Sequence, residues 1–143
     1  MPNTSNNIAV ARYLENGLID TNFGTNGVTR IDGGSGVADY GTAMAIQPDD
    51  GKILAAGAIV ASGSSYSNFG VVRLDADGQL DSDFGTGGIA HYNMGPALSV
   101  NDYATAIALQ SDDKIVVGGA AFATEGSFTY RRFGLLRFDA SGV

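Results

Sequence analysis

Short apolar runs bounded by glycine, aspartate and asparagine recur along the chain, whereas helical spacing of apolar residues is weak everywhere. Runs of this length and composition are typical of β-strands. The pattern predicts two successive units of four strands, preceded by an additional copy of the fourth strand at Ile8–Leu14. The first unit comprises Gly27–Ile31, Thr42–Gln47, Lys52–Ile59 and Phe69–Leu74, and the second comprises Gly88–Tyr92, Thr105–Gln110, Lys114–Phe122 and Arg132–Phe138.

The third strand of each unit is apolar at successive positions instead of alternating, in KILAAGAI and again in KIVVGGAA. Continuous apolar character predicts burial on both faces of a sheet. The small central residues, Ala55–Gly57 and Val117–Gly119, would let a neighbouring sheet approach closely. The compact polar segments before these strands, Gln47–Gly51 and Gln110–Asp113, predict hairpin turns.

The two units are copies of each other. Phe84 repeats Phe23 at an offset of 61 residues, Tyr103 repeats Tyr40 at an offset of 63, and a third copy opens at Arg132. Such a period indicates a supersecondary unit that must stack on copies of itself to bury its apolar surface. Small antiparallel sheets buried on both faces are typical of propeller blades. The sequence therefore predicts an all-β fold of β-propeller type, with two four-stranded antiparallel repeats plus one extra strand.

A parallel β-helix is the main structural alternative, but it would repeat at about 20 residues per rung, and the sequence has no such sub-period. We expect one repeat domain over residues 8–143, preceded by a flexible segment, residues 1–7. Within the domain the expected parts are the extra strand at 8–14, blade one at about 25–75 and blade two at about 86–139. The longer loops expected in the two units are Asp32–Gly41 with Asn93–Asp102, and Ser62–Asn68 with Thr124–Arg131.

Two blades do not close a ring, so apolar faces would remain open at both ends of the stack. Exposing about four large apolar side chains forfeits roughly 6–12 kcal/mol, which is comparable with the stability of a whole domain. The sequence therefore predicts a fragment of a longer array that associates when it is expressed alone.

Composition narrows the classes of partner. The formal net charge is −7, and a negative surface repels phosphate backbones, which disfavours nucleic acid. The chain has no cysteine, which excludes a disulfide framework and a thiolate zinc site. No apolar run approaches the ~18 residues of a membrane helix, and the opening MPNTSNN lacks the features of a signal peptide.

The string FGVVRLDADGQLDSDFGTGG, followed by an A-x-A-[IL]-Q segment and DDKIVVGG, resembles the delta-60 repeat, and the resemblance extends from Ile8 onward. The matching positions are Arg73, Leu74, Asp77, Gly78, Leu80, Asp81, Phe84, Gly85, Gln110, Lys114 and Ile115. Delta-60 repeats form β-propellers in bacterial multi-repeat proteins, often secreted or surface-associated, without an established activity. The resemblance implies that the partners are further blades of the same type, in the same chain or by self-association, and that the protein is secreted or at the cell surface.

Four aspartates, Asp75, Asp77, Asp81 and Asp83, surround Gly78. Clustered carboxylates suit Ca²⁺, but the spacing is not that of an EF-hand, and the first copy has Leu14 and Asn16 in place of two of them. An Asp-Gly turn followed by an Asx-turn is the favoured interpretation. We therefore assign no metal site and no cofactor, and expect no saturable Ca²⁺ binding tighter than roughly millimolar.

The remaining chemistry-bearing residues favour structural roles. His91 is the only histidine and aligns with Arg30, so it has no partner histidine for a catalytic or metal site. Arg12, Arg73 and Arg137 recur once per copy; they either bind an anionic ligand or, as we favour, bond a nearby aspartate or loop carbonyls.

The paired carboxylates Asp49–Asp50 and Asp112–Asp113 are expected in exposed turns, where nothing would raise a pKa for acid catalysis. Five aromatic residues of the loops either cluster at a propeller mouth, where they would stack on a sugar, or pack under the loops: Tyr66, Tyr92, Tyr103, Phe128 and Tyr130.

The function expected from the sequence is a non-catalytic repeat module, a scaffold or a recognition unit for a carbohydrate or protein ligand in a larger bacterial protein. The alternative is a propeller enzyme of the lyase or hydrolase type, with its site at the central channel, which fold analogy alone supports. No catalytic residue is assigned.

Overall fold

The computed structural model describes residues 6–34, 38–94 and 101–143, so most of the expected flexible segment 1–7 lies outside the described residues. The described residues contain nine strands and no helix, as the sequence predicts. The strands are β1 (Ile8–Ala11), β2 (Val28–Ile31), β3 (Tyr40–Ile46), β4 (Ile53–Ile59), β5 (Asn68–Leu74), β6 (Ile89–Tyr92), β7 (Tyr103–Leu109), β8 (Ile115–Glu125) and β9 (Phe128–Phe138).

The strands form three antiparallel sheets. The N-terminal sheet is β1–β2, the central sheet has the order β3–β4–β5–β6, and the C-terminal sheet has the order β7–β8–β9. The expected blade limits of about 25–75 and 86–139 do not coincide with these sheets, because β2 pairs with β1 and β6 pairs with β5.

The turn after β5 explains this difference in grouping. The N–H of Arg73 donates to the carbonyl of Gly88 over 2.9 Å, and the N–H of Asp81 donates to the carbonyl of Arg73 over 3.0 Å. These bonds fold the chain back, so that the strand following the Phe-Gly turn returns along β5. The N-terminal and central sheets therefore take their last strands, β2 and β6, from the segments that we counted as the start of the next unit.

Both expected hairpin turns are present. The N–H of Gln47 donates to the carbonyl of Lys52 over 2.8 Å, and Gly51 adopts a positive φ of 70°. In the shorter second copy the N–H of Gln110 donates to the carbonyl of Lys114 over 2.9 Å, and Asp113 takes the positive φ. Aspartate tolerates that conformation better than most residues.

Strand β4 is buried at every position, as its continuous apolar sequence predicts. Gly57 of β4 and the equivalent Gly119 of β8 have a different structural role from the one expected. A Cβ on Gly57 would lie 1.8 Å from the carbonyl oxygen of Tyr40, and one on Gly119 would lie 2.1 Å from that of Tyr103. Those oxygens belong to the paired strand of the same sheet, beside a bulge in β3 and in β7. The two glycines therefore admit a bulged strand of their own sheet, not a neighbouring sheet.

The expected loop Thr124–Arg131 is wrong, since β8 and β9 continue through it as a long hairpin closed by Gly126 and Ser127. Threonine and aromatic residues favour extended pairing. Gly126 supplies the positive φ of 62° that a tight hairpin turn requires. The central sheet has no such extension, and residues 60–67 connect β4 to β5 irregularly.

Two apolar clusters lie between the sheets, and alternate residues of β4 contribute to each. Ile53 and Ala55 pack toward the N-terminal sheet, whereas Leu54 and Ala56 pack toward the C-terminal sheet. Side chains on a strand point alternately to its two faces, so one apolar strand joins both clusters. The central sheet is thereby covered on both sides.

Candidate functional site

The arginines that recur in the sequence lie where one repeat contacts the next. The guanidinium of Arg73 lies 4.6 Å from the ring centre of Phe84, and its Nε donates to Oδ2 of Asp81 over 2.7 Å. Its Nη1 donates to the carbonyl of Ala140 over 2.6 Å. Ala140 belongs to the following repeat, so Arg73 connects two repeats through one side chain. We call this set of contacts the arginine junction.

The preceding repeat forms the same junction. Arg12 lies 4.8 Å from the ring centre of Phe23, donates to Asp20 over 2.8 Å and reaches the carbonyl of Ala76. The third arginine of the series, Arg137, is exposed. Arg12 and Arg73 therefore bond an aspartate and a loop carbonyl, which is the geometry expected of the structural alternative.

Each junction also receives a tight turn from the following repeat. The N–H of Gly24 donates to the carbonyl of Asp77 over 2.8 Å, and a Cβ on Gly78 would lie 2.7 Å from the ring of Phe23. Gly142 is equally close to Phe84, at 2.8 Å. The equivalent glycine of the first turn, Gly17, has no atom within 4 Å of a Cβ placed there. The turns at Gly78 and Gly142 can pack against the phenylalanine rings because glycine has no side chain.

The carboxylate of the junction remains ionised. Burial raises the pKa of Asp81, but hydrogen bonds from Lys52 and from the N–H of Asp83, together with the charge of Arg73, lower it below the ordinary value. The Lys52 ammonium lies 3.1 Å from Asp81, and this hydrogen bond raises the pKa of Lys52. A carboxyl group held ionised in this way is unsuited to donate a proton near neutral pH.

The aspartates around Gly78 bond backbone groups. Oδ1 of Asp75 accepts from the N–H of Asp77 over 3.0 Å and from that of Gln79 over 2.8 Å. Oδ1 of Asp81 accepts from the N–H of Asp83 over 3.1 Å, which is the expected Asx-turn. In residues 6–34, 38–94 and 101–143, no three His, Asp or Glu side chains converge on a point where a metal ion could sit.

Two further aspartates were missed in the sequence and are deeply buried. Asp39 accepts from the N–H of Gly33 over 2.6 Å and from that of Val60 over 2.8 Å. Asp102 accepts from the N–H of Met94 over 3.0 Å and from that of Phe122 over 2.7 Å.

Their own N–H groups donate to the preceding repeat, Asp39 to Asn6 and Asp102 to Ser67, each over 2.8 Å. Each aspartate therefore ties the incoming loop, the end of a buried strand and the neighbouring sheet together. The available signal was the Asp-Tyr pair, which recurs at the offset of 63 residues.

The aromatic residues of the loops do not gather in one place. Tyr103 packs against Phe122 with ring centres 6.3 Å apart, and Phe128 packs against Tyr130 at 6.4 Å near the tip of the long hairpin. Tyr66 and Tyr92 instead line a cavity of about 580 Å³, which is also where the structure places the exposed His91.

A second cavity, the inter-sheet groove, lies between the central and C-terminal sheets and has a volume of about 460 Å³. Thr42 joins the two sheets there, because its Oγ1 donates to the carbonyl of Ala104 over 2.7 Å. The described residues that line the groove carry no charge; they include Tyr40, Thr42, Ser65, Ser67, Asn101 and Tyr103. The groove therefore combines aromatic rings with uncharged polar groups.

Two segments of the chain match the model of a domain of unknown function, DUF5122, described as a β-propeller. The segments are residues 49–84 and 110–143, just under half of the chain. The first contains β4 and the arginine-bearing strand β5, and the second contains β8 and the arginine-bearing strand β9. No curated protein and no solved structure matches the chain. Together with the three antiparallel sheets, the match makes this an all-β, propeller-type domain.

Proposed function

We propose that the chain is a non-catalytic module of delta-60-type β-propeller repeats that stacks on further blades of the same kind. The larger protein is bacterial and secreted or at the cell surface, and the module serves it as a scaffold or recognition unit. Support for the propeller comes from the matching family of unknown function. Support for stacking comes from the exposed faces of the outer sheets.

The observation that carries the proposal is a difference in burial between equivalent residues. Phe69 and Val71 of β5 are fully buried in the cluster that the central sheet shares with the C-terminal sheet. Phe133 and Leu135 occupy the same positions in β9, where they are 79% and 59% exposed. Covering such a side chain stabilises a protein by about 1.5–3 kcal/mol. The face of β9 therefore offers one half of a junction that is already built once within the chain.

On the N-terminal side of the central sheet, strand β3 has a second set of uncovered apolar residues. Met44 and Ile46 of β3 are exposed, whereas their equivalents in β7, Ile107 and Leu109, pack against the cluster between the sheets. Among the residues that the structure describes, the N-terminal sheet contains only β1 and β2, and β1 already packs on this side of the central sheet. Strands equivalent to β3 and β4, supplied by a further copy of the repeat, would cover Met44 and Ile46. The two open faces thus differ from each other, which is the geometry of a head-to-tail stack.

The enzyme alternative has less support. The charged side chains that recur at the junctions, Arg12, Arg73 and Asp81, are engaged in bonds within the protein. A propeller enzyme would need convergent residues that break the repeat, and the unique His91 lies on the exposed face of β6.

Sedimentation velocity of the full 143-residue chain at low micromolar concentration tests the stacking. We expect the wild type to associate, and the double variant Phe133→Ser/Leu135→Ser to shift toward monomer. The control, Phe128→Ser/Tyr130→Ser, removes exposed aromatic residues from the hairpin tip of the same strand and should associate as the wild type does. A monomeric wild type, or equal dissociation of both double variants, would contradict the proposal.

A further inference from the structure

The inter-sheet groove has the size and composition of a ligand site. Its volume of about 460 Å³ lies within the ~300–1,000 Å³ of typical small-molecule sites. Tyr40 and Tyr103 line it from equivalent positions of successive repeats, on the contacting strands β3 and β7. Tyr40 is 52% exposed, so a large part of this side chain is accessible to a ligand. An aromatic ring with a hydroxyl offers an apolar face and a polar tip to the same ligand.

The charge distribution selects a neutral ligand. The chain has a net charge of −7, which disfavours anions. Yet the two carboxylates closest in sequence to the tyrosines, Asp39 and Asp102, are buried and occupied by backbone N–H groups. A cation would therefore find no free carboxylate in the lining. What remains are hydroxyl and amide groups, which suit a ligand rich in hydroxyl groups.

The polar groups of the groove are held in place. The N–H of Ser67 donates to Oδ1 of Asn101 over 2.9 Å, which fixes the amide. Asn101 is an exposed residue of the lining, and its Nδ2 group is a potential donor to a ligand. Tyr103 is fixed by Phe122 and by the guanidinium of Arg131, which lies 5.9 Å from its ring centre. Groups that are already positioned lose less freedom when a ligand binds.

A cavity with tyrosine and amide groups also lies at the neighbouring junction. A cavity of about 370 Å³ between the N-terminal and central sheets is lined by Tyr40 with Asn6 and Asn7. The amide of Asn6 lies 3.4 Å from the hydroxyl of Tyr40. Tyr40 lines both cavities, so the two lie side by side along the molecule. The tyrosine recurs at each junction, whereas the amides of the two cavities come from different positions of the repeat. A ligand of several units would meet tyrosine and amide groups in both cavities.

We propose that the inter-sheet groove binds a neutral polysaccharide, whose sugar rings pack on Tyr40 and Tyr103 and whose hydroxyl groups accept hydrogen bonds from Asn101. The inference rests on the recognition role proposed above. It does not depend on stacking with further blades, because both walls of the groove belong to one chain.

Titration of the full chain with neutral hexasaccharides tests this site. Cellohexaose, xylohexaose, mannohexaose and chitohexaose are added in turn, and binding is followed by calorimetry and by amide NMR shifts. We expect saturable binding of at least one of them, with shifts around Tyr40 and Asn101. Tyr40→Ala should weaken that binding at least about fivefold, since an aromatic contact is lost. Tyr40→Phe keeps the ring and should stay within about twofold of the wild type.

Tyr130→Ala is the matched control, because it removes an exposed ring from the hairpin tip, outside the groove, and should bind as the wild type does. The site is refuted if none of the four sugars shows saturable binding, or if Tyr40→Ala binds the sugar as tightly as the wild type does. It is also refuted if a proline-rich peptide changes the amide shifts around Tyr40 and none of the sugars does. Sedimentation of the same samples reports blade stacking separately, so failure of the sugar site is distinguishable from failure of the assembly.

Discussion

Strands β5 and β9 have nearly the same sequence and opposite surroundings. NFGVVRL of β5 is buried at all seven positions. In the corresponding segment of β9, from Arg132 to Phe138, only Gly134 and Phe138 are buried. Both strands pair with a continuous apolar strand, β4 or β8, in the same register. On its other edge β5 also pairs with β6, whereas β9 is the edge strand of its sheet. The difference therefore comes from the neighbouring strand and sheet and not from the strand itself.

This comparison shows what one repeat encodes. A repeat carries the residues of a sheet and one half of each junction, and the neighbouring repeat supplies the other half. Stability in such a protein is close to a sum of units and nearest-neighbour interfaces. Equivalent substitutions in β5 and β9 should consequently differ in cost by the value of one interface.

The largest difference in stability is expected between variants of Phe69 in β5 and Phe133 in β9, which occupy equivalent positions. Phe69→Ala removes a fully buried ring and should lower the free energy of unfolding by about 3–5 kcal/mol. Phe133→Ala removes an exposed ring and should change it by less than about 0.5 kcal/mol in the dissociated chain. Urea denaturation at a concentration where the chain is monomeric measures both. Similar costs for the two variants would mean that the face of β9 is already covered within one chain.

The arginines form the second pair. Arg73→Met removes the bond to Asp81 and leaves the carbonyl of Ala140 without its donor, which should cost about 2–3 kcal/mol. Arg137→Met changes the exposed arginine of the same series and should cost less than about 0.5 kcal/mol. Both variants lose one positive charge, so net charge does not distinguish them. An unchanged urea midpoint for Arg73→Met would instead indicate that this arginine is kept for a ligand.

The sequence predicted the strands well, because the signals for them are local. Alternation, apolar runs and turn residues identify the strands, and the repeat offset identifies their equivalence. The limits of the sheets depend on which strands β2 and β6 pair with, and the sequences of β2 and β6 do not determine that pairing. The long hairpin was missed for a related reason, since Thr124–Arg131 occupies the place of a loop in the first copy.

The residues of the junctions were only partly foreseen. The recurring arginines stood out because a charge within an apolar strand is unusual. Asp39 and Asp102 did not, because an aspartate beside glycine-rich loops looks like an ordinary turn residue, and only tertiary packing reveals its burial. The inter-sheet groove combines Tyr40 with Asn101, which lie far apart in the chain and meet only when two sheets stack.

The tight turns that contact the arginine junctions provide a smaller test of the same comparison. Gly78 and Gly17 have nearly the same positive φ, 84° and 81°, so alanine is strained at either position. Only Gly78 contacts the ring of Phe23. Gly78→Ala should therefore lower the free energy of unfolding by roughly 1–2 kcal/mol more than Gly17→Ala does, because the ring must move. Thermal and urea denaturation of the two variants measure this excess, and equal costs would mean that the turn does not press on the ring.

The smallest expected effect concerns acid, and it probes the carboxylate of the arginine junction. The folded pKa of Asp81 lies below its ordinary value of 3.8, since hydrogen bonds from Lys52 and Asp83 and the charge of Arg73 outweigh the effect of burial. A lowered folded pKa contributes stability that is present above 3.8 and disappears as the pH falls through the folded value.

Asp81→Asn keeps the shape of the side chain but removes this contribution, so it should cost on the order of 1 kcal/mol at pH 7. The gap to the wild type should narrow as urea denaturation is repeated from pH 5 toward pH 2.5. The control is Asp83→Asn, which makes the same change in net charge at an exposed carboxylate two residues away. If the gap for Asp81→Asn stayed constant over this range, Asp81 would not be the group that couples the junction to pH.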